Sequence, residues 1–148
     1  MKITIEDPKP GEEEEIIIRC SVIDDSLVKL IQSFKQGKVK LNLYKNGKLF
    51  LMLPEEIYYF ESVDQKVFAY AKMAVYETKS KLYELEQELP FNDFIRASKS
   101  SIININMIKS LTPTFNGRLE ANLKNGEKMI ISRQYVPELK EKLGLIQG

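Results

Sequence analysis

Hydrophobic positions follow two different rhythms along this chain, and the change falls near residue 38. Before it, Lys2–Glu6 alternates like a short strand, and Pro8, Pro10 and Gly11 break the pattern. Glu12–Glu15 is a solvated charge run. The β-branched stretch Ile16–Val22 reads as a second strand. Asp24, Asp25 and Ser26 are N-cap candidates for a helix in which Leu27, Val28, Leu30, Ile31 and Phe34 share one face, with Gly37 to end it. The expected head is therefore strand–strand–helix.

From Val39 the period becomes two. Three Asn-Gly pairs, at 46–47, 116–117 and 125–126, sit between strand-like runs. This dipeptide suits tight hairpins because both residues accept positive φ. Val39–Tyr44 with Leu49–Leu53 makes a first hairpin. Ile57–Ser62 with Val67–Lys72 makes a second, turning at Val63-Asp64-Gln65-Lys66, and Met73–Glu77 extends the sheet. One helix interrupts: Ser80 or Thr78 can cap it, Leu82, Leu85 and Leu89 form its apolar face, and Pro90 stops it. Phe94–Ser98 and Ile108–Pro113 read as strands on either side of Ser100–Met107. Thr114–Leu123 and Lys128–Ser132 supply the last pairs, before a short helix Pro137–Leu143 that ends at Gly144. The fold class is mainly β: about ten short strands in small antiparallel sheets, with few helices. No sequence repeat implies a solenoid or propeller.

Charge changes this picture. The net value is only +1 over 148 residues, yet residues 1–37 hold five Lys/Arg against eight Asp/Glu, and 96–148 hold nine against four. An acidic segment, 1–37, thus precedes a basic body, 38–148, and affinity for polyanions belongs to the C-terminal half. An apolar fraction of 43% is enough for a packed core. No stretch is long and apolar enough for a membrane span, and Met1–Asp7 lacks a signal-peptide core, so a cytoplasmic protein is expected. The chain has one cysteine, Cys20, which its apolar setting marks as a buried, inert thiol. There is no histidine, which removes the commonest general base and zinc ligand. No glycine-rich phosphate loop or metal-ligand spacing appears, so no cofactor and no catalysis are expected. Glu84, Glu86 and Glu88 read as the solvent face of the helix.

Three places hold chemistry that a core has no use for. Arg96, Ser98, Lys99 and Ser100 put cations among small hydroxyl residues in a turn that can hold phosphate; Asn104 can bond its own backbone in a turn. Ser132-Arg133 sets a cation at a strand–helix junction, where a bidentate contact to guanine O6 and N7 is available. Asp64-Gln65-Lys66 forms a polar hairpin tip. Taken singly, each is also what a solvated surface loop looks like. With no helix-turn-helix pair in the pattern, any reading of DNA would come from loops.

Order and spacing sharpen the reading. Ile57-Tyr-Tyr-Phe-Glu-Ser62, then Phe94-x-Arg96-x-x-Lys99-Ser100-x-Ile102-Ile103-Asn104-x-x-x-Ile108, then Ile131-Ser132-Arg133-x-Tyr135 resembles the LytTR family of bacterial DNA-binding domains, over roughly Lys40 to Leu145. The resemblance implies about ten strands in three small sheets, with loops entering successive major grooves on one face of bent DNA, at direct-repeat promoter sites. By position it implies DNA-contacting loops centred on Gln65, Lys66 and Val67, on Ser98, Lys99 and Ser100, and on Arg133. Two positions depart from it: many members have histidine where Ser98 stands, and some have a polar or basic residue where Val67 stands.

The head is too short for a receiver domain, so a small stand-alone regulator is expected, with Asp24 and Asp25 as helix caps. Double-stranded DNA is the expected partner. A membrane protein that restrains the regulator is the further partner the resemblance raises; separately, the acidic head is expected either to pack on the body or to mediate self-association as a homodimer. The competing reading is a β-rich adaptor that docks a protein through Leu27–Phe34.

Overall fold

The computed structural model describes residues 4–36, 40–90 and 92–145, with backbone alone for 32–36. The chain divides into two units, Met1–Gly37 and Lys38–Gly148.

The first unit contains helix α1, Asp25–Gln36. Asp24 caps it: its Oδ1 accepts the Leu27 N–H at 2.9 Å, and its carbonyl accepts the Val28 N–H at 3.0 Å. The two expected strands do not form. Residues 4–6 and Ile16–Val22 have no regular structure, and Cys20 is exposed rather than buried. The reason is physical: β-branched residues favour extended backbone, but a strand needs a second backbone to take its N–H and C=O groups. Among the described residues none pairs with these segments. Residues 2, 3, 37 and 39, invoked as strand starts and helix stop, lie outside the described residues.

The second unit holds the ten strands that the period of two implied: β1 Leu41–Lys45, β2 Lys48–Met52, β3 Ile57–Val63, β4 Lys66–Ala71, β5 Val75–Thr78, β6 Phe94–Ser98, β7 Ser101–Asn104, β8 Ile108–Pro113, β9 Leu119–Leu123 and β10 Lys128–Ile131. Helix α2, Leu82–Glu88, lies between β5 and β6, and α3, Val136–Lys142, follows β10. Every strand pairing is antiparallel. The hydrogen-bonded order is β2-β1-β5-β4-β3-β7-β6 in one sheet and β10-β9-β8 in the other. The resemblance implied three sheets; here one bridge, Tyr44↔Glu77, joins the β1–β2 hairpin to β5 and merges two of them.

Alternation along the strands builds two cores on opposite faces of the large sheet. Phe60, Phe94 and Ile102 face one, with Leu43, Ile57, the α2 leucines Leu82 and Leu85, and Leu89 at the end of that helix. Tyr58, Ile95 and Ile103 face the other, with Leu123 and Ile131 of the small sheet and Leu139 of α3. Burying each such side chain stabilises the fold by about 1.5–3 kcal/mol before chain entropy is counted. A bulge between Ile57 and Tyr59 turns both Tyr58 and Tyr59 toward the second core. Tyr59 stacks on Tyr70 at 4.3 Å and donates its hydroxyl to Glu127 in the loop of the small sheet. Burial first, and then Glu127, push the Tyr59 hydroxyl pKa well above its ordinary value, and burial raises that of Tyr70.

Two expectations need correction here. Helix α2 begins after Lys81, whose N–H is taken by Glu84 Oε1 at 3.0 Å, while Thr78 Oγ1 takes the Ser80 N–H instead of capping the helix. The segment 101–104 is not part of a loop: β7 pairs with both β3 and β6 and is buried throughout. Its polar residues are satisfied internally, so a central strand tolerates them. Asn104 Nδ2 donates to the Ile57 carbonyl at 2.9 Å, and its Oδ1 accepts the Asn106 N–H at 3.0 Å, the local turn bond that its sequence suggested.

Candidate nucleic-acid interface

The β3–β4 hairpin turns on Asp64 and Gln65, at φ +50° and +66°, and Val63 pairs with Lys66 across the turn. Both central residues take the left-handed conformation that a two-residue hairpin requires, as at Asn46-Gly47. Asp64, Gln65 and Lys66 are exposed. Val67 is not: it is 6% exposed and packs in the first core, because the pleat alternates and Lys66 has taken the outward position.

The next turn, Lys99-Ser100, joins β6 to β7 beside that hairpin, because the Ser62 N–H at the end of β3 donates to the Ser100 carbonyl at 2.8 Å. Its geometry is built from within. Ser98 Oγ is 2.7 Å from Ser101 Oγ and accepts the Ser100 N–H at 3.2 Å. The Arg96 guanidinium donates Nη1–H to the Lys99 carbonyl at 2.6 Å and Nε–H to the Glu86 carboxylate of α2. Arg96 thus braces the turn from below, and its side chain is only 21% exposed. Lys99 and Ser100 remain outward.

The third segment arrives from the small sheet. The Ser132 N–H donates to the Ala97 carbonyl at 2.7 Å, which sets the Ser132-Arg133 junction against the end of β6. Arg133 is exposed at the start of a short 3-10 turn, Arg133–Tyr135, that leads into α3. Two backbone hydrogen bonds, 62 to 100 and 132 to 97, therefore gather all three sequence-predicted loops onto one rim. Gln65, Lys66, Lys99, Ser100 and Arg133 face outward there, Arg96 and Ser98 are turned to protein partners, and Val67 lies in the core.

A fourth segment was missed in the sequence. The β8–β9 loop closes with the Thr114 N–H on the Arg118 carbonyl at 3.0 Å and turns on Asn116 and Gly117, at φ +63° and +74°. A Cβ on Gly117 would lie 3.1 Å from both Cγ and Cδ of Arg133, so the arginine stem rests on this turn. The signal available was Asn116-Gly117 itself, read only as a hairpin turn. The pair Asn125-Gly126 behaves otherwise: only Gly126 has positive φ, at +90°, and Asn125 instead accepts the Glu127 N–H at 3.0 Å through its side chain. Glu86, assigned to a solvent face, was missed as the anchor of Arg96.

Comparison with known proteins agrees with this architecture. The LytTr DNA-binding domain family matches residues 47–144. Sensory transduction protein LytT of Enterococcus faecalis is 32% identical over 144 residues, covering 93% of this chain, and LytT of Bacillus cereus is 38% identical over 143, covering 91%. This chain spans 58% of the length of each of those two relatives. Those alignments cannot reach such coverage without a large part of residues 1–37. An uncharacterized HTH-type transcriptional regulator of Staphylococcus aureus is 31% identical over 102 residues, covering 69% of both chains; among the described residues here, no helix-turn-helix pair occurs. The solved LytTr DNA-binding domain of a putative methyl-accepting/DNA response regulator from Bacillus cereus superposes with a TM-score of 0.69 at 29% identity, over 73% of this chain and 99% of that one. With ten antiparallel strands, the ordered motifs and a domain match over most of its length, this chain belongs to the LytTR family of DNA-binding domains.

Proposed function

We propose that this protein is a sequence-specific transcription regulator that reads double-stranded DNA with the rim formed by residues 64–66, 99–100 and 133. The observation that carries this reading is the pair of backbone hydrogen bonds, Ser62 to Ser100 and Ser132 to Ala97, that places three cationic or polar loops on one edge. Lys66 and Lys99 supply phosphate contacts, Gln65 and Ser100 supply uncharged donors and acceptors, and Arg133 supplies the bidentate fork suited to guanine. Arg96 and Ser98 act through the turn they brace. Loops of this kind enter successive major grooves on one face of the duplex, and two copies of the chain occupy direct repeats. The names of the relatives, sensory transduction protein and response regulator, extend the reading to a regulator that answers a signal.

The test is a binding titration of the full chain on duplex from upstream of its own gene, at about 50 and 200 mM salt, with random duplex as competitor. Binding should be submicromolar, should survive the competitor and should weaken with a log–log slope of about 0.9 per phosphate engaged. Binding that random duplex removes as readily would sink the proposal.

A further inference from the structure

Phe115 is 90% exposed, on a loop whose conformation is fixed. Its position is set by the Thr114–Arg118 hydrogen bond and by two consecutive left-handed residues, Asn116 and Gly117. A phenyl ring held out in water forgoes the burial that such rings otherwise gain. The turn that carries it is the turn on which the Arg133 stem rests, since the Gly117 hydrogen side faces Arg133 Cγ and Cδ. The exposed ring and the supported arginine stem therefore belong to one turn, two residues apart along it at Phe115 and Gly117.

Polar rim residues answer phosphates and base-edge donors and acceptors. DNA also offers one apolar group in its major groove, the C5-methyl of thymine. We infer that Phe115 is a specificity-determining residue that packs on a thymine methyl next to the base read by Arg133. This rests on the proposed DNA-reading rim and adds to it a base preference that none of the cations can supply. Gly117 is then a positioning residue for both: it leaves room for the arginine stem and belongs to the turn that carries the ring. An apolar contact releases no counterions, so it should strengthen binding without altering the salt slope.

The experiment uses the full chain and a duplex it enriches from a randomised pool. Each thymine of that duplex is replaced in turn by deoxyuridine, which removes only the methyl group. Wild type should lose several-fold affinity at one thymine next to a guanine. Phe115→Ala should bind the parent duplex about tenfold more weakly, from lost apolar burial, be blind to that deoxyuridine, and keep the salt slope and melting temperature of wild type. Equal binding of the parent duplex by wild type and Phe115→Ala overturns the inference and leaves the rim standing. So does a loss indifferent to every deoxyuridine, which would fit a wedge between base steps. A change in sedimenting mass of the DNA-free protein, with DNA affinity intact, would overturn it in favour of contact between copies. If wild type enriches no duplex at all, the DNA-reading proposal itself fails.

Discussion

Arg96 and Arg133 stand at the ends of neighbouring segments, each with a serine close by and an apolar run before it, yet the protein uses them in opposite ways. Arg96 turns inward along the α2 side of β6, where Glu86 and the Lys99 carbonyl take its donors. Arg133 turns outward over Gly117, its stem supported and its fork exposed. The difference lies in what each arginine meets, a carboxylate and a carbonyl in one case and a missing Cβ in the other. A cation near a turn is thus a brace or a reader according to whether the protein supplies acceptors for it.

The contrast breaks most readily at Arg133. Replacing it with alanine should cost roughly 1–3 kcal/mol of DNA affinity and relax preference at one base, with the melting temperature unchanged. Arg96→Ala should do the reverse. Losing its hydrogen bond to the Lys99 carbonyl, with the half-exposed Glu86 pair discounted for solvent, should lower folding stability by about 1–2 kcal/mol. DNA affinity should then fall only as the Lys99 turn loosens, and denaturant titration of both variants separates the cases. If Arg96→Ala weakened binding with no loss of stability, the two arginines would share one role.

Gly117→Ala sharpens the outward half. A side chain at φ +74°, only 3.1 Å from the arginine stem, should cost about 1 kcal/mol of stability and displace Arg133. Double-mutant analysis then gives the coupling: Gly117→Ala with Arg133→Ala should bind DNA no more weakly than Arg133→Ala alone. A fully additive loss would mean that the glycine acts elsewhere.

The smallest effect concerns the buried side. Tyr59 keeps its proton to higher pH in the fold than in the unfolded chain, because burial and the Glu127 carboxylate disfavour the phenolate. The unfolded chain sheds that proton from about pH 10, the ordinary tyrosine value, so above this pH the native state binds more protons. The contribution of Tyr59 is therefore complete below pH 10 and declines as pH rises beyond it. Thermal melts from pH 8 to 11 should show the decline in wild type and a shallower one in Tyr59→Phe.

Much of the body was legible because its signals are local. The period of two marks strands, and Asn46-Gly47 and Asn116-Gly117 accept the φ their turns require. In the head the helix and its Asp24 cap were legible, because both signals are likewise local. Ile16–Val22 has strand composition and no strand partner, and composition cannot supply one. Residues 101–104 erred the other way: Ser101 and Asn104 read as loop, yet they lie in a strand buried on both faces, because Ser98 and the Ile57 carbonyl satisfy them.

By itself, then, the sequence determined the mainly β class, the ordered motifs of the family and the basic character of the C-terminal half. All three depend on residue type and spacing along one chain. Only the tertiary structure decided that three loops share a rim, that Val67 faces the core, that Arg96 braces while Arg133 projects, and that the turn carrying Phe115 supports the Arg133 stem. The rim depends on hydrogen bonds between residues 38 and 35 apart, 62 to 100 and 97 to 132, and the outward arginine on Gly117, 16 residues before it. Side-chain direction at such places follows from the acceptors and free space that distant strands bring, which no local pattern encodes.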